Sequence, residues 1–567
     1  MNKRVRVLGV LSVTALIVSG CATLPGDSEP QVLRQYERSR VAENPVGPEK
    51  GQEADLLLKS FFAQSANPTQ THQAARMYLA PEAAAAWNDS QGTTILRSIE
   101  DISSTVSNDP NRIIFTVRGE KVGRLTGGGV YELEEGHFEE EYKMTKVDGE
   151  WRIEQLPPGV VLERATFRNS YQPYDLYFFE PTGRMLVGDR RWVYNQQTAV
   201  DTTLIRMLND GPREALKPGV ITDLKPETVY SGTRDGVHVF TGVDAVDDKQ
   251  LNRIAAQVVW TLESAKVQGP YKLEIDGVTL EGDGSGLTTE DFMEYNPQGS
   301  LGSVNSLYAL TDGKLHLVTA DSATPVNNGL TGIESASIAT SSGVIAAVTK
   351  EQEDKSVLRM GPLDGPFSKV LEAKTLSRPS FEYGGSAMWT VVDGKQIVRV
   401  TRSSDSGELS QAIVQAAPFD ELDKPISVLR ISTSGVRVAA IVDNHVYVGT
   451  VARPTPGERR IANMREIAPG ISGAALSLDW QHDGSLLVGT NSPDSPVVRV
   501  EPDGAAVKIE PSVNLTAPVV AVASTSSTMF VTDARSMRQL PNNSGSSSFW
   551  REVPGLQSRR AAPIIPE

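Results

Sequence analysis

From residue 301 onward helical periodicity disappears, and a short apolar anchor recurs at Ile338, Phe381, Ile431, Trp480 and Val522, at separations of 43, 50, 49 and 42 residues. A small residue follows most anchors (Gly343, Gly385, Gly435, Gly484), and then an apolar run such as Val344-Ile345-Ala346-Ala347-Val348 or Ala387-Met388-Trp389-Thr390-Val391. A unit of this length cannot bury its own faces, so it must stack on copies of itself. The period suits one four-stranded blade of a β-propeller, whose ring leaves only short, protected edges. Five to six blades fit the stretch 300–560, with 301–318 and the C-terminal strands sharing the blade that closes the ring. A pair of β-sandwiches is the alternative, because it requires no regular period.

The other end of the chain is equally constrained. Lys3, Arg4 and Arg6 precede an apolar run over 7–18, and Ser19-Gly20 precede Cys21, the one cysteine in 567 residues. Val18-Ser19-Gly20-Cys21 resembles the bacterial lipobox at all four positions. There the cysteine sulfur receives a diacylglycerol, the leader is cut before it, and the new N-terminus is acylated, commonly with palmitate. Residues 1–20 are then a signal peptide and Cys21 the lipidation site. A plain secretory signal or an uncleaved anchor are the alternatives, but the run is shorter than the roughly 20 residues a spanning helix needs. Several acyl chains on one residue suffice for stable anchoring, at about 0.8 kcal/mol per buried CH2. With Cys21 lipidated no thiol remains for a disulfide, a thiolate metal site or a nucleophile.

The net charge is −15, and loss of the leader removes three further cations. Such a surface repels phosphate backbones, which argues against nucleic acid as a partner. Residues 21–51, punctuated by Pro25, Pro30, Pro45 and Pro48, read as a tether. Helical spacing follows over 53–64 (Leu56, Leu57, Ser60, Phe61), 70–79, and from Pro81 to about Trp87. The period then changes to two over 98–106, 112–122, 129–146 and 150–154, the last two joined by Asp148-Gly149. Helices followed by a curved antiparallel sheet make 52–160 an α+β domain similar to the nuclear-transport-factor-2 (NTF2)-like fold. Trp87 or Trp151 line a pocket there or simply pack its core.

A second α+β domain, 170–282, follows Pro157-Pro158-Gly159. It shows strands over 174–179 and 186–194, a helix over 199–209 with Leu204, Ile205 and Leu208 inward, and strands over 228–231 and 236–241. A longer helix over 248–262 and a strand over 271–275 complete it. The helix-terminal Gly211-Pro212 and the run Gln257-Val258-Val259-Trp260-Thr261-Leu262, in this order, resemble the GerMN domain of spore-germination and cell-envelope proteins. That family implies no catalytic residue. Just beyond, Thr279, Glu281, Asp283, Gly284 and Glu290 partly match a calcium-loop template, but the first position is a threonine and the preceding element is a strand. Residues 282–288 read instead as a flexible linker.

The residues offer no named reaction. The six histidines (His72, His137, His238, His316, His445, His482) show no metal-ligand spacing, and neither a Gly-x-Ser-x-Gly elbow nor a phosphate loop occurs. Glu139-Glu140-Glu141 read as a solvated sheet face rather than a glycosidase pair, and the Asp-Gly pairs at 312, 393, 483 and 503 as hairpin turns. The expectation is a non-enzymatic recognition protein with neither cofactor nor metal.

The domain order, together with Phe61-Phe62-Ala63-Gln64-Ser65-Ala66-Asn67-Pro68, Tyr78-Leu79-Ala80-Pro81-Glu82-Ala83-Ala84, Trp151-Arg152-Ile153 and Pro157-Pro158-Gly159, resembles the actinobacterial LpqB lipoproteins across essentially the whole chain. The resemblance implies a lipid-anchored protein on the extracytoplasmic face of the cell membrane. Its implied role is to bind the sensor domain of the histidine kinase MtrB and to modulate MtrA/MtrB signalling in cell-wall homeostasis and division. The competing reading is a cell-wall glycan or peptide binder, or a cryptic hydrolase, using the propeller channel. That reading calls for aromatics and paired carboxylates, and only Trp389, Trp480 and Trp550 are available in the region.

Overall fold

The computed structural model describes residues 46–106, 109–244, 247–299, 306–339, 341–403, 406–542, 545 and 548–567. The leader, Cys21 and most of the tether lie outside the described residues. No helix among the described residues is long and apolar enough to cross a membrane.

The first domain packs α1 (Ala54–Gln64), α2 (Thr69–Arg76) and α3 (Pro81–Ala86) on a bent sheet. The buried stripe of α1 is Ala54, Leu57, Leu58, Phe61 and Phe62. Leu56, expected inward, is 51% exposed, because the stripe turns one position further round the helix. Phe62 meets Tyr142 edge-on at 5.3 Å, and Trp87 meets Phe61 at 5.7 Å. The second helix departs from right-handed geometry at Gln70, Thr71 and His72, whose φ values are positive. There His72 Nδ1 lies 2.8 Å from Asp89 Oδ2.

The sheet is built from β1 (Thr93–Val106), β2 (Arg112–Thr126), β3 (Val130–Glu132), β4 (Gly136–Val147), β5 (Glu150–Gln155) and β6 (Val160–Glu163), in the order β5-β4-β2-β1-β6 with β3 on β2. The single strand expected over 129–146 is thus two. β1 carries register shifts between Ile95 and Asp101, which bend the sheet over the helices. β6 has no periodicity of its own to announce it, and it pairs parallel to β1, Thr93 opposite Val160.

Helix α4 (Arg164–Ser170) leads directly into the second domain. There β7 (Tyr171–Phe179) and β8 (Leu186–Tyr194) form a long hairpin, backed by α5 (Val200–Asn209) and α6 (Asp248–Ser264). A four-stranded sheet of β9 (Val229–Arg234), β10 (Val237–Thr241), β11 (Lys272–Ile275) and β12 (Val278–Leu280) runs in the order β12-β11-β10-β9. Leu204, Ile205 and Leu208 of α5 face Ile254, Val258 and Leu262 of α6 in one core, all fully buried. The expected linker 282–288 is tied back rather than loose: Tyr271 and Leu287 exchange backbone hydrogen bonds of 2.8 and 2.6 Å, and Leu287 is buried.

Beyond this the described residues form six four-stranded antiparallel sheets. Their innermost strands are Ala562–Ile564, Ile333–Ala339, Ser380–Phe381, Ile426–Ile431, Ala475–Trp480 and Ala521–Ser524, which define blades 1 to 6. Each of these strands touches the next, and the sixth touches the first, so the ring is closed. The recurring anchors are residues of the inner strands, at or near their ends. The apolar runs after them are the second strands, buried between blades, as with Leu487 and Val531 at 0% exposure. The ring is closed by backbone hydrogen bonds: the C-terminal strand supplies the inner position of blade 1, pairing antiparallel with Leu307–Thr311, Tyr308 opposite Ile564.

Candidate functional site

The three domains meet at two polar joints. At the first, Trp192 near the end of β8 packs on Phe167 of α4 at 4.6 Å, and its Nε1 donates to Asp503 Oδ2 of blade 5 at 2.7 Å. Asp503 was expected only as turn chemistry. Its Oδ1 does accept from the Ala505 amide (3.1 Å), but the residue is fully buried and its other oxygen spans the joint. At Asp312 and Asp393, by contrast, both Asp and Gly take positive φ, as a two-residue hairpin requires. Arg168 of α4 adds a bidentate pair to Glu501 at 2.8 and 2.9 Å. Gly129 fits here for want of a side chain: a Cβ would lie 2.4 Å from the Trp192 carbonyl oxygen.

At the second joint, β8 and the segment after α5 lie on blade 4. Asp189, fully buried, accepts from Arg191 Nη2 (2.8 Å) and from the Arg213 amide (2.9 Å). Arg191 in turn donates to the carbonyls of Gly128 and Gly211 at 2.9 and 3.0 Å. This fixes the Gly211-Pro212-Arg213 exit of α5, so that the Ala215 carbonyl accepts from Thr450 Oγ1 (2.7 Å) and Asn463 Nδ2 (3.0 Å) of the propeller. Val436 of blade 4 packs into the second domain's own core. Arg453 and Glu180 pair across the boundary at 3.1 Å.

Between the hairpin and the turns of blades 4 and 5 lies a cleft of about 200 Å³. Arg190, Arg213 and Arg437 line it, with Asp175 and Asp483. Burial, then the neighbouring Arg213, pull the Arg437 guanidinium down to about 10. Burial pushes the Asp175 carboxyl up against the attraction of Arg190, 3.5 Å away. Trp480, one of the recurring anchors, is half-buried and lines this cleft, its Nε1 donating to the Arg430 carbonyl at 3.1 Å.

The central channel holds a separate cavity of about 210 Å³, walled by Ala336, Val428, Leu478 and Val522 with Arg378 and Arg430. Burial, then Arg378, bring Arg430 down to about 10. The terminal Glu567 carboxylate accepts from Ser337 Oγ (2.8 Å) and the Phe381 amide (2.6 Å). Trp389 and Trp550 are wholly buried in their blades, donating to Glu382 and Pro511. The channel cavity is lined by aliphatic groups, Arg378, Arg430, Ser335, Ser477 and a single carboxylate, Glu334, with no aromatic side chain.

The other sequence candidates disperse. In the first domain an open cavity of about 500 Å³ is lined by Lys59, Phe62, Ile99, Glu100 and Ile102, not by the tryptophans. Trp87 is core, and Trp151 lies half-buried under Lys146 at 5.0 Å. Glu139, Glu140 and Glu141 are all exposed, with Glu139 paired to Arg118. No group of three metal-ligating side chains occurs among the described residues. His238 meets Tyr230, and His445 meets Glu466, each at 2.8 Å. In the calcium-like stretch Glu281 pairs with Lys272 at 2.9 Å, and Asp283 is occupied by Ser285. Cys21 lies outside the described residues.

Comparison with known proteins covers the same three regions. Residues 47–168 match the model described as Lipoprotein LpqB, N-terminal domain; residues 175–281 match Sporulation and spore germination; residues 313–566 match the Lipoprotein LpqB beta-propeller domain. A protein named Lipoprotein LpqB from Corynebacterium diphtheriae is 39% identical over 98% of this chain and 98% of its own. Its namesake from Rhodococcus opacus is 38% identical over 99% of this chain and 98% of its own. The one from Mycolicibacterium smegmatis is 31% identical over 100% of both. Three domain matches in unbroken order and identity along the full length show that the chain belongs to the LpqB lipoprotein family.

Proposed function

We propose that the chain is acylated at Cys21, held on the extracytoplasmic face of the cell membrane, and binds the sensor domain of the histidine kinase MtrB. Through that contact it biases MtrA/MtrB signalling in cell-wall homeostasis and division. The observation that carries this reading is the full-length likeness to LpqB lipoproteins, propeller included. The physics supports it. An anchor confines the protein to the layer into which a membrane kinase projects its sensor, which raises its effective concentration. Directed contacts such as Trp192 Nε1 to Asp503 and Arg453 to Glu180 tie the second domain to the propeller. To modulate signalling, the contact must favour one kinase state over the other.

Two experiments test this. Replacement of Cys21 by serine is expected to move the protein from the membrane to the soluble fraction and to abolish lipid labelling; retention with unchanged labelling would refute the anchor. Calorimetric titration of the chain with the kinase's extracytoplasmic domain is expected to show saturable binding. Absence of heat at high concentration, confirmed by failure to co-purify, would refute direct contact.

A further inference from the structure

The inner strand of blade 3, Ser380–Phe381, is two residues long, where those of blades 2, 4 and 5 have six or seven. Pro379 lies just before it, and a proline cannot donate to a strand ladder. Arg378 is therefore left outside the strand and reaches across to blade 2, where its Nε donates to the Ala336 carbonyl at 3.0 Å. Its own carbonyl accepts from Nη1 of the buried Arg430 at 3.2 Å. Arg378 is thus held at both ends of the residue on the wall of the channel cavity. Its Nη1 and Nη2 have no hydrogen-bond partner among the described residues, and neither is enclosed, since Arg378 is half-buried.

The charges around it are otherwise engaged. Glu334, the one carboxylate of the lining, accepts from Ser356 Oγ at 3.1 Å and faces Lys350 Nζ at 3.7 Å. Asp479 stands 3.9 Å from Arg430 Nε, outside the lining. Glu567, also outside it, is held by Ser337 Oγ, Ser380 Oγ and the Phe381 amide. No carboxylate lies within ion-pair distance of Arg378 among the described residues. The wall beside this open fork is aliphatic and reachable: Val428 and Leu476 are half-buried, and Val520 is 39% exposed.

We propose that the channel cavity binds a short branched aliphatic carboxylate, its two oxygens on Arg378 Nη1 and Nη2 and its alkyl group against Val428, Leu476 and Val520. A guanidinium fork matches a planar carboxylate with two parallel hydrogen bonds. A phosphate would use the fork and leave the aliphatic wall bare, and a glycan would find no aromatic ring to stack on. The volume, about 210 Å³, is below the roughly 300 Å³ at which sites for drug-sized ligands begin, so it admits one branched group with its acid rather than a chain. Such a group is supplied by a free acid or by the C-terminal residue of a peptide. The assignment is independent of the kinase reading, since neither site requires the other.

The test is calorimetric titration of the full chain, held in lipid nanodiscs, with 3-methylbutanoate and with the tripeptide acetyl-Ala-Ala-Leu. Saturable binding of the free acid alone assigns the first source, and binding of the tripeptide as tightly or more tightly assigns the second; either supports the proposal. The corresponding amides, which lack the charge, are expected to bind more weakly by about tenfold or more. Acetate, which lacks the alkyl group, is expected to lose a similar factor. R378Q is expected to weaken the acid by about tenfold or more, and rising salt to weaken it progressively. Because R378Q also disturbs the bond to Ala336, V428F serves as the second variant: it places a ring in the cavity, keeps both arginines, and is expected to block binding with an unchanged unfolding temperature. No saturable heat with either acid, equal binding of the amides, inorganic phosphate binding alone, or indifference to both variants would each overturn the proposal.

Discussion

The blades and the joints are held by opposite kinds of interaction. Inside blade 5, Leu486, Leu487, Val488, Val497 and Val500 are at most 1% exposed, and they pack in apolar clusters with side chains of neighbouring strands and blades, among them Val522, Met529 and Trp550. At the joints apolar contacts of Trp192 and Val436 are joined by buried Asp189, Arg191, Asp503 and Glu180, held by directed hydrogen bonds and charge. Apolar burial is non-directional and tolerates sliding. A buried carboxylate between two arginines does not, so the ring gains its stability from the first kind of contact and its fixed orientation toward the other domains from the second.

The sharpest way to break this comparison is at Asp189. Replacement by alanine leaves Arg191 and Arg213 buried without their carboxylate, and is expected to cost about 3–5 kcal/mol by chemical denaturation. Leu487→Ala, in the blade, is expected to cost about 2–5 kcal/mol through lost transfer energy and a cavity, while leaving the domains docked. Limited proteolysis between the second domain and the propeller should therefore accelerate in the first variant and not in the second. Asp503→Ala strands the Trp192 indole N–H and is expected to cost about 1–3 kcal/mol. Arg168→Ala removes a pair whose side chains are 36% and 25% exposed, and is expected to cost about 0.2–1 kcal/mol, shrinking further with salt.

The regions also differ in the sign of their pH response. Burial pushes the Asp533 carboxyl of blade 6 up, but the amides of Ser536 and Arg535 and the Arg538 guanidinium outweigh it and hold it below the usual carboxylate range. Its contribution is therefore present above an unfolded value of about 3.9 and is lost as pH falls through the folded one. Asp175 in the cleft is shifted upward, so its contribution is full below about 3.9 and is lost as pH rises through its folded value. Urea midpoints measured from pH 3 to 7 should show D533N weakened at neutral pH and converging with the parent in acid. D175N should instead show a flatter profile than the parent.

What could be read from the chain follows the same division. The propeller was legible because each blade repeats one apolar pattern, and Ile338, Phe381, Ile431, Trp480 and Val522 mark inner strands. The helices α1, α5 and α6 were legible because one face of each is apolar, although the stripe of α1 was placed one position off at Leu56. Strand β6 and helix α4 were not, since four to seven residues are too few to show a period and their positions are set by partners distant in sequence. Nor was the cleft. Arg190, Arg213, Arg437 and Gln481 lie scattered over nearly three hundred residues, and only the docking of a hairpin on two blades brings them together. Asp503 illustrates the limit: Asp-Gly announces a turn, and nothing local announces that the turn ends on Trp192.

Whether the joints weld the three domains into one body is read from differential scanning calorimetry of the full chain. Welded domains give one cooperative transition in the parent chain, splitting into separate domain transitions in D189A. Separate transitions in the parent, or a single undivided transition in D189A, would contradict the weld.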